Sequence, residues 1–176
     1  MKAKSNTAFI LRLSMTLLLI CAVVAAVLAA VNSYTAPIIA KQKEEKTQLA
    51  IEAVLPGGGE AVEFEDATGM VTALYASDSG WAVQVSANGF GGAIDMMVGI
   101  DKTGNVIGIS IISHAETPSL GAVAAEDSAA GEAFRGQFAG LSGTLAVSKD
   151  GGTVDAISGA TITSRAVVEG VNAALQ

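Results

Sequence analysis

The hydrophobic pattern divides this chain into three regimes. Residues 13–31 run nineteen positions without a charge, and Ala8, Phe9 and Ile10 extend the apolar character back past Arg12. About 20 apolar residues are needed for a helix to cross roughly 30 Å of hydrocarbon, so this run predicts a transmembrane helix. Asn32, Ser33, Tyr34 and Thr35 form a polar exit, and Pro37 predicts a kink or the start of a new helix. Apolar positions then thin to Ile38, Ile39, Leu49, Ile51, Val54 and Leu55 among Lys, Gln and Glu, which predicts a helical stalk that turns amphipathic. Pro56, Gly57, Gly58 and Gly59 end it.

Beyond residue 57 the period shortens. Residues 71–75 and 81–85 flank Ser77-Asp78-Ser79-Gly80, and residues 94–100 and 106–112 flank Asp101-Lys102-Thr103-Gly104-Asn105. Each pair predicts a β-hairpin. Residues 129–138 predict a short helix, and 145–147 and 153–157 predict further strands. Residues 162–175 set Val167, Val168, Val171, Ala174 and Leu175 on one helical face. Strands first and helices at the ends predict an α+β domain with an antiparallel sheet, with barrel-like curvature left open. The expected organisation is an N-terminus (1–12), an anchor (13–31), a stalk (32–56) and one small domain (57–176).

Charge orients this arrangement. Lys2, Lys4 and Arg12 precede the apolar run, whereas Lys41 and Lys43 beyond it are mixed with Glu44 and Glu45. The positive-inside rule predicts a single-pass protein of the inner (cell) membrane, with its N-terminus in the cytoplasm and its domain outside. A cleaved signal peptide competes, although its apolar region is usually only about 7–15 residues. Cys21, the only cysteine, lies inside the run after the bulky Ile20, which argues against a lipoprotein signal and leaves the domain without disulfides or cysteine metal ligands. Past residue 12, 7 Lys+Arg face 17 Asp+Glu, a net charge of −10 that argues against a nucleic-acid partner.

Three spots hold candidate chemistry. Asp155, Ala156, Ile157, Ser158, Gly159, Ala160 and Thr161 form a small-residue loop just before the last helix, suited to a phosphate resting on free backbone amides. An ordinary turn with Ser158 or Thr161 as N-cap explains the same residues equally well. Gly89, Phe90, Gly91 and Gly92 make a tight bend that is either a plain turn or a platform for an anion or flat ring. His114, Glu116, Thr117, Leu120 and Gly121 lie in a polar stretch after a predicted strand, where a His/Glu pair suits acid–base work or a simple loop closure. One His and one Glu are too few for a metal site. The sequence has no Ser-His-Asp hydrolase signature and no Gly-Lys-Ser/Thr nucleotide loop.

Taken together, these motifs resemble the G subunit of the Rnf electron-transport complex, and more distantly the C subunit of the sodium-pumping NADH:quinone reductase. The resemblance spans the anchor, Val54-Leu55-Pro56, Gly-Phe-Gly-Gly, His-x-Glu-Thr-Pro, Gln137-Phe138-x-Gly140 and Asp-x-Ile-Ser-Gly-Ala-Thr. It implies an FMN-binding domain in which a flavin transferase joins the FMN phosphate to the hydroxyl of Thr161. It also implies that Asp155, Ser158, Gly159, Ala160, Gly89, Phe90, Gly91, Gly92, His114, Glu116, Thr117, Leu120 and Gly121 surround the cofactor. Ser119 stands where the family usually has glycine, so a positive φ there would strain it. The implied role is an electron carrier, without catalytic residues or a metal of its own, in a membrane complex that oxidises ferredoxin, reduces NAD⁺ and moves Na⁺ or H⁺. The alternatives are a flavin carrier like the quinone-reductase C subunit, a non-redox anchored binding domain and, with least support, a His114/Glu116 hydrolase.

Overall fold

The computed structural model describes residues 2–65 and 68–176, with side chains from residue 7 onward. Lys2 and Lys4, which carry part of the orientation argument, lie outside the residues whose side chains are described. The chain divides into two compact units, Met1–Glu44 and Glu45–Gln176.

The first unit is helical. Helix α1 spans Lys2–Val54 and contains Pro37, so of the two alternatives read at that proline the start of a new helix is excluded. A proline removes one N–H from the ladder, a local loss that a long helix can tolerate. Elsewhere along α1 the hydroxyls of Thr16, Ser33 and Thr35 each donate 2.9 Å bonds to the carbonyls of Arg12, Ala29 and Val31. Every side chain from residue 7 to 34 is exposed, Leu17 at 64% and Leu28 at 63%. By length and composition this helix can cross a membrane.

The second unit is an α+β domain. Strands β1 (Glu60–Val62), β2 (Val71–Ser77), β3 (Gly80–Asn88), β4 (Ala93–Asp101) and β5 (Val106–Ser113) form one antiparallel sheet in sequential order. It is an open meander rather than a barrel. Helices α2 (Ala129–Gly136) and α3 (Thr161–Ala174) follow. Alternation along the strands gives the sheet two apolar faces. Ala82, Met97 and Ile112 pack with Ala50, Ile51, Val54 and Leu55 from the end of α1 and the residue after it. Val83, Val85, Met96 and Val98 pack with Val167 and Val171 of α3 and with Phe134 and Phe138. Fully burying side chains such as Leu55 and Phe138, both at 0% exposure, contributes about 1.5–3 kcal/mol each.

Two strand expectations fail, and for one reason. Residues 145–147 and 153–157 are not strands; they share only an isolated parallel bridge, Val147 to Val154. Their backbones are satisfied partly by irregular main-chain bonds, such as Val154 N to the Ala146 carbonyl (3.2 Å), and partly by side chains. Asn172 accepts from Leu145 N (2.8 Å) and donates to its carbonyl (2.9 Å), and Gln137 does the same for Asp155 (2.7 and 3.2 Å). The Ser164 hydroxyl accepts from Ile157 N at 3.0 Å. Leu145, Val147 and Val154 are apolar because they are buried, not because they pair in a sheet. Strand β1, whose three residues are all exposed, has no apolar alternation and was not expected from the pattern.

Candidate functional site

Helix α3 begins at Thr161, and its N-cap is Ala160, which has no side chain able to accept from the first-turn amides. Neither Ser158 nor Thr161 is therefore the N-cap, and the capped-turn explanation of this loop loses its basis. An uncapped helix start leaves donors and a partial positive charge facing outward. The loop is held from behind: the Ser164 hydroxyl bonds the Ala160 carbonyl at 2.9 Å, and Gly159 takes a φ of +77°.

A pocket of about 410 Å³ opens at this helix start. Its lining draws on all three candidate stretches: Phe90 from the glycine bend, Glu116, Thr117, Leu120 and Gly121 from the loop after β5, and Gly159, Ala160 and Thr161 with Ile162 and Thr163 from the last loop and α3. The volume falls within the roughly 300–1,000 Å³ usual for small-molecule sites. Phe90, Leu120 and Ile162 are 70%, 43% and 52% exposed, so the rim is apolar while the floor is polar.

Glu116 joins the three segments. It is only 7% exposed, and its carboxylate accepts from Gly91 N (3.0 Å) and from the Thr163 hydroxyl (2.7 Å). Its own amide donates to His114 Nδ1 at 3.2 Å. A Cβ on Gly89 or Gly121 would collide with this carboxylate, so the glycines flanking the motifs are needed for close approach. Ser119 has a φ of +61°, the strained conformation expected if it replaces a glycine.

Several residues named from the sequence lie elsewhere. Gly89, Gly91 and Gly92 shape the bend, closed by a 2.8 Å bond from Gly89 N to the Gly92 carbonyl, without lining the pocket. His114 lines a separate cavity of about 600 Å³ with Lys46, Asp127 and Arg135. Asp155 and Ser158 border a third hollow beside Gln137. Lys149 was not anticipated: it lines the Thr161 pocket, and its Nζ donates to Thr161 Oγ1 at 2.9 Å. A single Lys in a Ser-Lys-Asp-Gly-Gly turn gives no sequence signal for this. Thr163 and Ser164, at 1% and 0% exposure, were likewise missed, although two hydroxyls in a first helical turn were a visible hint.

An anion-ready helix start, a hydroxyl at the pocket edge and an apolar rim suit a phosphate-bearing ring cofactor. Residues 89–176 match the FMN-binding domain, and residues 1–54 match the RnfG N-terminal region. The chain belongs to the G-subunit family of Rnf-type ion-translocating oxidoreductase complexes. The G subunit of the proton-translocating ferredoxin:NAD(+) oxidoreductase complex of Clostridium ljungdahlii is 36% identical over 95% of this chain and 90% of its own length. The G subunit of the ion-translocating oxidoreductase complex of Methanosarcina acetivorans is 33% identical over 97% and 95%. That of the Na(+)-translocating ferredoxin:NAD(+) oxidoreductase complex of Acetobacterium woodii is 30% identical over 99% and 94%.

Proposed function

We propose that this chain is the membrane-anchored flavin subunit of an Rnf-type ferredoxin:NAD oxidoreductase and relays electrons through FMN attached by its phosphate to Thr161. The observation that carries the reading is one pocket in which residues of three separate motifs meet around the Thr161 hydroxyl. Flavin held there supplies one- and two-electron transfer.

The residues have distinct roles. Thr161 Oγ1 is the attachment atom, and the first turn of α3 stabilises the anionic ester, by about 0.3–1 kcal/mol at an exposed site. Phe90, Leu120 and Ile162 offer apolar surface to the ring, and Glu116 fixes the loops that present them. Lys149, the side chain bonded to the hydroxyl, donates to it rather than accepting its proton. A threonine without a base is a poor nucleophile, which fits a separate flavin transferase making the bond. Asp155 is exposed while Gln137 pins its backbone, which suits a recognition contact for that transferase.

The helix orientation follows the basic N-terminus, with the flavin domain outside the cytoplasm. Residues 13–31 hold no ionisable side chain except Cys21, so ion movement belongs to partner subunits of the complex. The reading is tested by expressing the chain with and without a flavin transferase and imaging the denatured protein for flavin fluorescence. Wild type should fluoresce only with the transferase, and Thr161→Ala should not. A fluorescent Thr161→Ala band would refute the site, and a wild type that never acquires flavin would refute the redox role.

A further inference from the structure

We infer that Lys149 is the counter-charge for the phosphate on Thr161 and that the Asp150–Arg165 ion pair holds it in place. The inference rests on Thr161 as the attachment point and adds a residue outside every motif singled out in the sequence.

The position of Lys149 is built rather than incidental. It sits on a single 3₁₀ turn, Ser148–Asp150. The Val147–Val154 bridge and a 2.8 Å bond from Ser148 N to the Val154 carbonyl fix the base of that turn. The next residue, Asp150, takes the Arg165 guanidinium through two bonds of 2.7 Å. Arg165 lies four residues beyond Thr161, on the same face of α3. Adjacent residues of the turn therefore grip one face of the helix at two points, Lys149 at Thr161 and Asp150 at Arg165. This holds a long side chain that would otherwise sweep freely.

The surrounding charge makes that ammonium matter. After residue 57 the basic residues are Lys102, Arg135, Lys149 and Arg165, against fourteen Asp and Glu. Arg165 is paired with Asp150, and Arg135 donates to the Ala124 and Glu126 carbonyls with Asp127 3.7 Å away. Lys102 is in the β4–β5 turn. An anion placed on so acidic a domain meets an unfavourable field unless a cation sits beside it. Lys149 now donates to a neutral hydroxyl. On esterification the Oγ1–phosphorus bond forms, the phosphoanhydride bond of an activated flavin donor breaks, the donor's remaining phosphate leaves and the hydroxyl proton is released. The product has anionic oxygens on the phosphorus bonded to Oγ1, within reach of the same ammonium. The contact then becomes a charge-assisted hydrogen bond, the stronger kind.

The test uses full-length chain co-expressed with a flavin transferase, comparing wild type, Lys149→Met, Lys149→Arg and Thr161→Ala. Lys149→Met should slow covalent flavin incorporation about tenfold, the scale expected for losing a hydrogen bond to a charged group. Lys149→Arg should restore most of it, and the melting temperature should stay near wild type because Lys149 is exposed. In the flavinylated proteins, the ³¹P resonance of Lys149→Met should be displaced from that of wild type, because the phosphate has lost a charge-assisted hydrogen bond. Wild-type incorporation together with an unchanged ³¹P resonance in Lys149→Met would overturn the role of Lys149 and leave Thr161 standing. Flavin retained on Thr161→Ala would instead remove the attachment reading on which it rests.

Discussion

A carboxylate at 7% exposure, bonded to one amide and one hydroxyl, serves the shape of the site, and Glu116 is that residue. One oxygen holds the glycine bend through Gly91 N, and the other holds α3 through Thr163. Glu116→Ala would leave an amide and a buried hydroxyl unpaired, a penalty of about 1–3 kcal/mol each. The expected outcome is a lower melting temperature and reduced flavin occupancy, with Glu116→Gln milder because its amide oxygen can still accept from Gly91. Equal melting temperatures for the two variants and wild type would contradict the keystone role. Ser119 offers the opposite case. At φ +61° a side chain costs about 1–2 kcal/mol, part of which is offset in glycine by its freer unfolded chain. Ser119→Gly should therefore raise the melting temperature slightly. At this scale the sequence marked Glu116 and the glycines as neighbours in a motif, but not that the glycines are small because the carboxylate needs the room.

Elements were legible where neighbours in sequence are partners in space. The β2–β3 and β4–β5 hairpins and α3 follow from alternation, turn residues and helical spacing. The stretch from 145 to 160 was not, because several of its backbone partners are the side chains of Asn172, Gln137 and Ser164, up to 27 residues away. No local pattern encodes that. The β4–β5 turn illustrates the legible kind, and it has an acid signature. The Asp101 carboxylate accepts from the Thr103 hydroxyl (2.6 Å) and from the amides of Asn105 (2.9 Å) and Thr103 (2.8 Å), bonds that hold its pKa down at about 2 from an ordinary 3.8. A depressed carboxylate stabilises the fold above its unfolded pKa and loses that contribution as pH falls through the folded value. Melting temperature should thus fall between about pH 4 and pH 2 more steeply in wild type than in Asp101→Asn, which should be less stable at neutral pH. Parallel pH profiles for the two proteins would show that the turn does not depend on this ionisation. Asp150 shifts in the same direction, chiefly through its bonds to Arg165.

For the whole molecule, the apolar run, the family resemblance and the comparisons agree on a helix able to cross a membrane and an FMN-binding domain. The pairing of motifs around one pocket was legible only through that resemblance, since each motif alone also fits a plain turn. Lys149 was not legible at all. Relatives are named for both proton and sodium translocation. The orientation makes a direct prediction: a reporter active only outside the cytoplasm, fused after Gln176, should be active, and a cytoplasm-only reporter at the same point should be silent. The reverse pattern would invert the proposed topology. Flavin on Thr161 is met most directly by mass spectrometry of the native-membrane protein. Trypsin cleavage after Lys149 and Arg165 releases residues 150–165, which include Thr153, Ser158, Thr161, Thr163 and Ser164. This peptide should be heavier by one FMN less one water, with fragment ions placing the whole increment on Thr161. An unmodified peptide, or an increment on any other hydroxyl, would rule out Thr161 as the point of attachment.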